Sequence, residues 1–350
     1  LHHRNLVIIP PIAIVRFRSQ MIVMVQIRDE TGWKYQRADG SYVANQWDQI
    51  NGNWYHFDQN GYMETGWKKL NGSWYYLKSS GAMATYWEKV GSDWYYFDPS
   101  GAMQVGWAKS GTIWYYLKPD GRMTANQWEQ VSGNWYHFDT NGVMQTGWLK
   151  VGNIWYYLKP SGNMTANQWE QVSGNWYHFD ANGMMQTGWL QLGNTWYYLD
   201  GENPEHPGMM TADQIKEING KYYGFDASGA MQTGWILKEE GWYYAQTDGT
   251  FVNGWNNIGG AWYYLDGNNA EHPDLMVAGQ QKVIDGNTYF FAETGTMKSG
   301  WQQYPEGWYY ATPDGAKIYG WRNINNEWYY LDEAGAGAGL WRGAGHCREK

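Results

Sequence analysis

The stretch Thr65-Gly66-Trp67-Lys68-Lys69-Leu70-Asn71-Gly72-Ser73-Trp74-Tyr75-Tyr76-Leu77-Lys78-Ser79-Ser80-Gly81-Ala82-Met83 decides the fold. It holds two short aromatic runs separated by Asn71-Gly72. Aromatic residues suit a pleated, half-buried surface. Asn-Gly accepts the positive φ angles that a two-residue hairpin turn demands. The runs around Trp67 and Trp74 are therefore expected to pair as a β-hairpin, with Gly81 turning the chain onward. A lone hairpin of this length is marginal in water, so it needs neighbours to pack against.

The rest of the chain supplies them. Trp67 belongs to the series Trp47, Trp67, Trp87, Trp107, Trp128, Trp148, Trp169 and Trp189, with steps of 20 or 21 residues. The series resumes at Trp235 and Trp255, then at Trp301, Trp321 and Trp341. Units led by Ile215 and Gln281 lack the opening Trp but keep the register. Each follows an insertion, Asp200 to His206-Pro207 and Asp266 to His272-Pro273. This makes 14 full units, with a partial unit at Trp33 and a vestige at Trp341. The repeat predicts an all-β solenoid or superhelix of stacked hairpins, about 20 residues each. A second period lies on the first: units at Trp47, Trp128 and Trp169 carry Trp-Tyr-His-Phe with His56, His137 and His178, and their successors carry Trp-Tyr-Tyr-Leu.

Residues 31–341 thus form one repeat domain, residues 1–30 a non-repeat segment without an assigned role, and residues 342–350 a tail. The first segment, with apolar blocks Leu6–Ile9 and Met21–Val25 around Pro10-Pro11 and interspersed arginines, reads as foreign to the repeats and shows no clear signal-cleavage pattern. Nowhere does an apolar run reach the length of a membrane-spanning helix.

Composition narrows the chemistry. The 350 residues include 26 Trp, 30 Tyr, 9 Phe and 45 Gly, and only 17% are charged. With Leu, Ile and Val sparse, the aromatics are expected to do the burying. The net charge of −9 opposes non-specific nucleic-acid binding and suits a cationic ligand on π-faces. The single cysteine, Cys347, excludes an intramolecular disulfide framework and any multi-cysteine zinc site.

Strand alternation puts Trp74 and Tyr76 on one face and Tyr75 on the other. Trp67 can meet Trp74 across the hairpin, and an aromatic of the next unit can close the open side. The result is a small recess with two or three π-faces, repeated at each junction. It fits a quaternary ammonium, which donates no hydrogen bond and is cheaply desolvated. Met83 and its equivalents, Met103 among them, either line this recess or fill gaps. The middle tyrosines Tyr75, Tyr95 and Tyr115 read as core.

The run Thr65 to Met83, and Gln186-Thr187-Gly188-Trp189 through Trp196-Tyr197-Tyr198-Leu199, resemble the choline-binding (cell-wall-binding) repeats of Gram-positive surface proteins and murein hydrolases. The resemblance spans about residues 31–341. It implies a hairpin superhelix in which choline of teichoic or lipoteichoic acids sits between successive hairpins, caged by both Trp of one hairpin and an aromatic of the next. Carried over residue by residue, the cages fall at Trp67/Trp74 with Tyr76, Trp87/Trp94 with Tyr96, Trp107/Trp114 with Tyr116, Trp148/Trp155 with Tyr157, and Trp189/Trp196 with Tyr198. The pairs Trp235/Trp242, Trp255/Trp262, Trp301/Trp308 and Trp321/Trp328 also retain both Trp. No cage is expected at Ile215/Tyr222 or Gln281/Thr288, and the histidine units depart from the pattern. The resemblance further implies a secreted, wall-associated protein. It calls for no cofactor beyond choline as ligand, no nucleic-acid partner and no membrane insertion.

An enzyme is the rival class. His56, His137 and His178 recur by repeat copying and not as parts of a triad. Glu205-His206-Pro207 and Glu271-His272-Pro273 form too thin a donor set for a metal. No catalytic residue and no metal ligand is assigned. Two further readings stay open: a glucan-binding repeat whose aromatics stack on sugars, which the Tyr222-Tyr223-Gly224-Phe225 unit favours, and a targeting module separated from a murein hydrolase. The Trp-Tyr-Tyr-Leu and Met pattern places choline ahead of glucan.

Overall fold

The computed structural model describes residues 25–332, 339–341 and 347–348. Residues 1–24 of the non-repeat segment and most of the tail lie outside the described residues. Among those described, every regular element is a strand. Fourteen antiparallel hairpins follow the repeat, from Gln46–Ile50 with Asn53–Phe57 to Gly320–Ile324 with Glu327–Leu331. One more precedes them. Val25–Arg28, within the segment that reads as foreign, pairs with Trp33–Gln36, so the first hairpin begins upstream of the aromatic pattern.

The hairpin Gly66–Leu70 with Ser73–Leu77 shows the local rule. Leu70 pairs with Ser73 across the turn, Lys69 with Trp74 and Trp67 with Tyr76. Asn71 and Gly72 both take positive φ, at 49° and 88°, the geometry that matches the right-handed twist of two strands. After the second strand, Gly81 donates to the Lys78 carbonyl and Lys78 to that of Ala82.

Successive hairpins are joined through the backbone. The amide of Met83 donates to the Trp54 carbonyl at 2.8 Å, that of Met103 to Trp74 and that of Met123 to Trp94, both at 2.8 Å. The loop after one hairpin thus binds the second strand of the hairpin before it. The methionine side chains complete the joint: the thioether of Met83 lies against Gly101, and that of Met103 against Gly121. Gly101 has a φ of 84°, and a Cβ there would collide with Met83, so a side chain is excluded both by backbone conformation and by space.

The core is a thin column built largely of phenylalanine and leucine, with the tryptophans outside it. The residue that follows the Trp-Tyr-Tyr or Trp-Tyr-His run is buried: Leu77, Phe97, Leu117, Phe138 and Leu158 are all fully buried. Full burial of such a side chain is worth about 1.5–3 kcal/mol. The second tryptophans stand at the rim, with Trp74 42% and Trp94 41% exposed. Phenylalanines carry much of the burial, as expected of an aromatic-rich chain. Tyr75, Tyr95 and Tyr115, read as core, are only half-buried, whereas Tyr177, Tyr243 and Tyr309, at the same position of their hairpins, are buried. The second indoles lie at the open edge of the two-stranded ribbon, while the residue at the inward-facing strand end is enclosed by its neighbours.

The chain falls into two compact units, one running up to residue 166 and including 181–184, the other comprising residues 167–180 and those from 185 onward. Each is a run of stacked hairpins. The second carries both insertions. Met209–Met210 adds a third strand to the hairpin ending at Asp200, and Leu275–Met276 does the same beside Asp266. Asp200 and Asp266 are buried. Each holds a lysine of the following hairpin, Lys216 at 2.8 Å from Asp200, and Lys282 on Asp266. The Asn203 side chain accepts from the amides of Glu205 and His206. The insertions therefore stiffen the joint around a Trp-free hairpin.

Candidate ligand cages at the hairpin junctions

Residues paired across an antiparallel ladder share a face, so Trp67, Lys69, Trp74 and Tyr76 all point toward the next hairpin. The Trp67 and Trp74 rings stand 6.3 Å apart at 87°, and Tyr76 lies 5.2 Å from Trp67. From the next hairpin Tyr95 comes edge-on to Trp67 at 4.7 Å, with the buried Phe97 beneath at 5.8 Å. Perpendicular rings with a third wall and a half-exposed indole make a shallow recess open to solvent.

The Trp–Trp contact recurs at Trp107, Trp148, Trp189, Trp235 and Trp301 and, among the described residues, is absent at Trp87, Trp255 and Trp321. In the first unit Trp107 meets Trp114 at 6.1 Å, Tyr116 at 5.2 Å and Tyr136 of the next hairpin at 4.8 Å. Trp148 meets Trp155 at 6.0 Å and Tyr157 at 5.3 Å. Trp87 makes its ring contacts with Tyr96 at 5.0 Å and Tyr115 at 4.8 Å, while Trp94 stands exposed at the rim. In the second unit Trp189 joins Trp196 at 6.2 Å, Tyr198 at 5.2 Å and Tyr223 at 4.8 Å. Trp235 joins Trp242 at 6.2 Å and Tyr263 at 4.8 Å, and Trp301 joins Trp308 at 6.4 Å and Tyr329 at 4.8 Å. Trp255 contacts Tyr264 and Tyr289, and Trp321 contacts Tyr330. Their partners Trp262 and Trp328 are 46% and 45% exposed.

The middle tyrosine, read from the sequence as core, is the aromatic that reaches the preceding hairpin. Tyr75, Tyr95, Tyr115, Tyr136 and Tyr156 each touch the opening Trp of the preceding hairpin. The signal was present in the alternation. A residue facing away from its own Trp must face the hairpin before. Met83 and Met103, named with the cages, are half-buried and pack against turn glycines in the connecting loops.

In the histidine hairpins the imidazole takes the place of the second tyrosine. Trp47–His56, Trp128–His137 and Trp169–His178 are all near-perpendicular at 5.0 Å. His56 and His178 are buried. Their Nδ1 atoms lie 2.5 Å from Glu64 Oε2 and Gln186 Oε1. The Nδ1 of His137 is buried without a hydrogen-bond partner, and burial lowers its pKa, partly offset by Asp139.

At the two Trp-free hairpins the corresponding space is filled. Ile236, Tyr243, Ala245 and Phe251 form a buried cluster with Ile215, Tyr222 and Leu275 packed on it. Tyr243 is 2% exposed and its hydroxyl donates to Glu240 at 2.7 Å. Burial, then this bond and the carboxylate charge, drive its pKa well above the ordinary phenol value. Phe290, Tyr309 and Ala311, with Tyr304, fill the second such junction. Elsewhere among the described residues no group of three His, Cys, Asp or Glu side chains is placed to hold a metal ion.

Comparison with known families places these repeats. A model of choline-binding repeats matches residues 44–86, 84–128, 127–169 and 167–205. A model of cell wall binding repeats matches residues 233–251, 253–268, 299–317 and 320–336. No curated protein sequence gave a significant match. Among solved structures, choline binding protein F from Streptococcus pneumoniae, in the presence of a peptidoglycan analogue, is 27% identical over 79% of this chain and 98% of its own, with a TM-score of 0.45. CbpJ from Streptococcus pneumoniae TIGR4 is 27% identical over 85% of this chain and 99% of its own, at a TM-score of 0.37. The choline-binding domain of CbpL from the same species is 29% identical over 54% of this chain and 97% of its own, at 0.41. With repeat models matched along well over half of its length, the chain belongs to the family of choline-binding, cell-wall-binding repeat proteins.

Proposed function

We propose that the chain is a non-catalytic, multivalent binding module that attaches a secreted protein to choline residues of wall teichoic and lipoteichoic acids. The observation that carries this reading is the repeated recess of Trp67, Trp74 and Tyr95, in which Trp67 meets both other rings edge-on and Trp74 is held 42% exposed. Exposed indole is costly to leave in water unless something covers it. A quaternary ammonium covers it without asking for a hydrogen bond. The same Trp–Trp geometry supports cages at Trp107/Trp114, Trp148/Trp155, Trp189/Trp196, Trp235/Trp242 and Trp301/Trp308. At Trp87/Trp94, Trp255/Trp262 and Trp321/Trp328 the reading rests on the retained Trp pair and the exposed second indole. The middle tyrosine of the following hairpin joins as third wall where it reaches the opening Trp.

Each cage is weak, since a cation–π contact is worth about 0.5–2 kcal/mol. Attachment comes from number. A polymer bearing many cholines engages several cages at once, and linkage multiplies affinity by about 10²–10⁴ where spacing permits. The net charge of −9 gives no attraction to an anionic polymer, so recognition rests on the ammonium group.

The test is a titration followed by intrinsic tryptophan fluorescence with choline, tetramethylammonium and a soluble glucan in parallel. Saturable change with both cations and none with glucan is expected. A response to glucan alone would replace this reading with sugar stacking.

A further inference from the structure

The cages are not chemically alike. The residue opposite the second Trp shares its face and stands at the mouth of the recess. In the first unit it is a lysine at every cage hairpin: Lys69 opposite Trp74, Lys89 opposite Trp94, Lys109 opposite Trp114 and Lys150 opposite Trp155. Three of the ammonium groups are held over the indole, Lys69 at 5.9 Å, Lys109 at 5.1 Å and Lys150 at 5.3 Å from the ring centroid. In the second unit the position is uncharged throughout: Gln191, Leu237, Asn257, Gln303 and Asn323 oppose Trp196, Trp242, Trp262, Trp308 and Trp328.

These lysines also differ from others of their unit. Lys68, Lys78 and Lys118 are neutralised by Glu64, Glu88 and Glu129 at 2.7, 2.7 and 3.8 Å. Among the described residues, Lys69, Lys89, Lys109 and Lys150 make no ion pair with a carboxylate, and all four are exposed. An uncompensated cation fixed beside a cation-binding recess opposes a bare ammonium. It favours a ligand that brings its own anion.

We infer that the cages of the first unit are built for a zwitterion, a quaternary ammonium with a phosphate ester a few bonds away, whereas those of the second unit recognise the ammonium alone. The inference rests on the choline reading and extends it. The trimethylammonium sits on the rings, the phosphate oxygens face outward, and the lysine Nζ, on a flexible four-carbon stem, swings from the indole to meet them. At a separation of about 6 Å in a water-like dielectric, a unit charge changes occupancy by about threefold, favourably for the phosphate and unfavourably for bare choline. Salt erodes both effects, because the groups are exposed. A lysine that merely lies along its Trp for packing would affect the two ligands equally.

The experiment uses the full chain and titrates it with choline and with phosphocholine at low and high salt, reading tryptophan fluorescence. The variant Lys69→Gln/Lys89→Gln/Lys109→Gln/Lys150→Gln is expected to lower the ratio of phosphocholine to choline affinity by about twofold or more, with the difference vanishing at high salt. The reciprocal variant Gln191→Lys/Asn257→Lys/Gln303→Lys/Asn323→Lys is expected to raise the same ratio, and it answers the question even if the first variant folds poorly. A ratio unmoved in both variants overturns the inference while leaving the choline reading intact. Failure of the unaltered chain to bind either ligand overturns both.

Discussion

Substituting Gly101 by alanine tests the joint between hairpins, and two neighbouring glycines allow its cost to be separated into parts. Gly101 has a φ of 84°, with the Sδ, Cε and Cγ atoms of Met83 where a Cβ would go. Gly106 has a φ of 80° and open space at the same place. A left-handed conformation costs a non-glycine residue about 1–2 kcal/mol, and the stiffer unfolded chain returns about 0.4–1 kcal/mol of that. Gly106→Ala should therefore destabilise by about 1 kcal/mol. Gly101→Ala adds the displacement of Met83 from its seat, about 1–3 kcal/mol for overpacking, giving about 2–4 kcal/mol in all. In a Met83→Ala background the new methyl meets no thioether, and Gly101→Ala should fall back to the Gly106→Ala value. The double mutant would then be less destabilised than the sum of its parts. Urea unfolding followed by tryptophan fluorescence and far-UV circular dichroism reads these differences as midpoint shifts. The loss should be felt mainly by adjacent hairpins, since repeats couple to their neighbours. Equal shifts for Gly101→Ala and Gly106→Ala, or strict additivity with Met83→Ala, would refute the packing argument.

Trp308→Ala is expected to remove one choline site while lowering stability by less than about 2 kcal/mol, because the indole is already 43% exposed. Counting bound choline by calorimetry checks it, and an unchanged count would exclude Trp308 from the cages. His137→Phe should make the fold less sensitive to mild acid. Burial depresses the His137 pKa below the ordinary imidazole value of 6.5. The unfolded chain therefore takes up the proton first, and stability present above that value falls as pH drops below it. Thermal melts at about pH 7.5 and about pH 5.5, on either side of the ordinary imidazole value, should converge in the variant relative to the unaltered chain. Tyr243→Phe removes the hydroxyl that donates to Glu240 and should cost about 1 kcal/mol. Because it lies in a filled junction, it should leave choline affinity unchanged, and a weakened titration would contradict that placement.

Much of this was written in local sequence. A two-residue turn such as Asn71-Gly72, flanked by runs that end in Leu70 and begin at Ser73, specifies a hairpin and its register without help from distant residues. Repetition at 20 or 21 residues specifies stacking, because identical hairpins bury the same face against identical neighbours. The opening and second tryptophans as partners followed from strand alternation. Tertiary structure alone decided which aromatic of the next hairpin completes the recess. The offset between neighbours brings Tyr95 and not Tyr96 onto Trp67, and that offset is set by backbone bonds such as Met103 to Trp74, which no single repeat contains. Likewise the methionines found their place only once successive loops were stacked, with each thioether against the next turn glycine. Local chemistry chose the hairpin, since its hydrogen bonds close within a dozen residues. The shape of the recess depended on contacts between units, which short-range pattern does not encode.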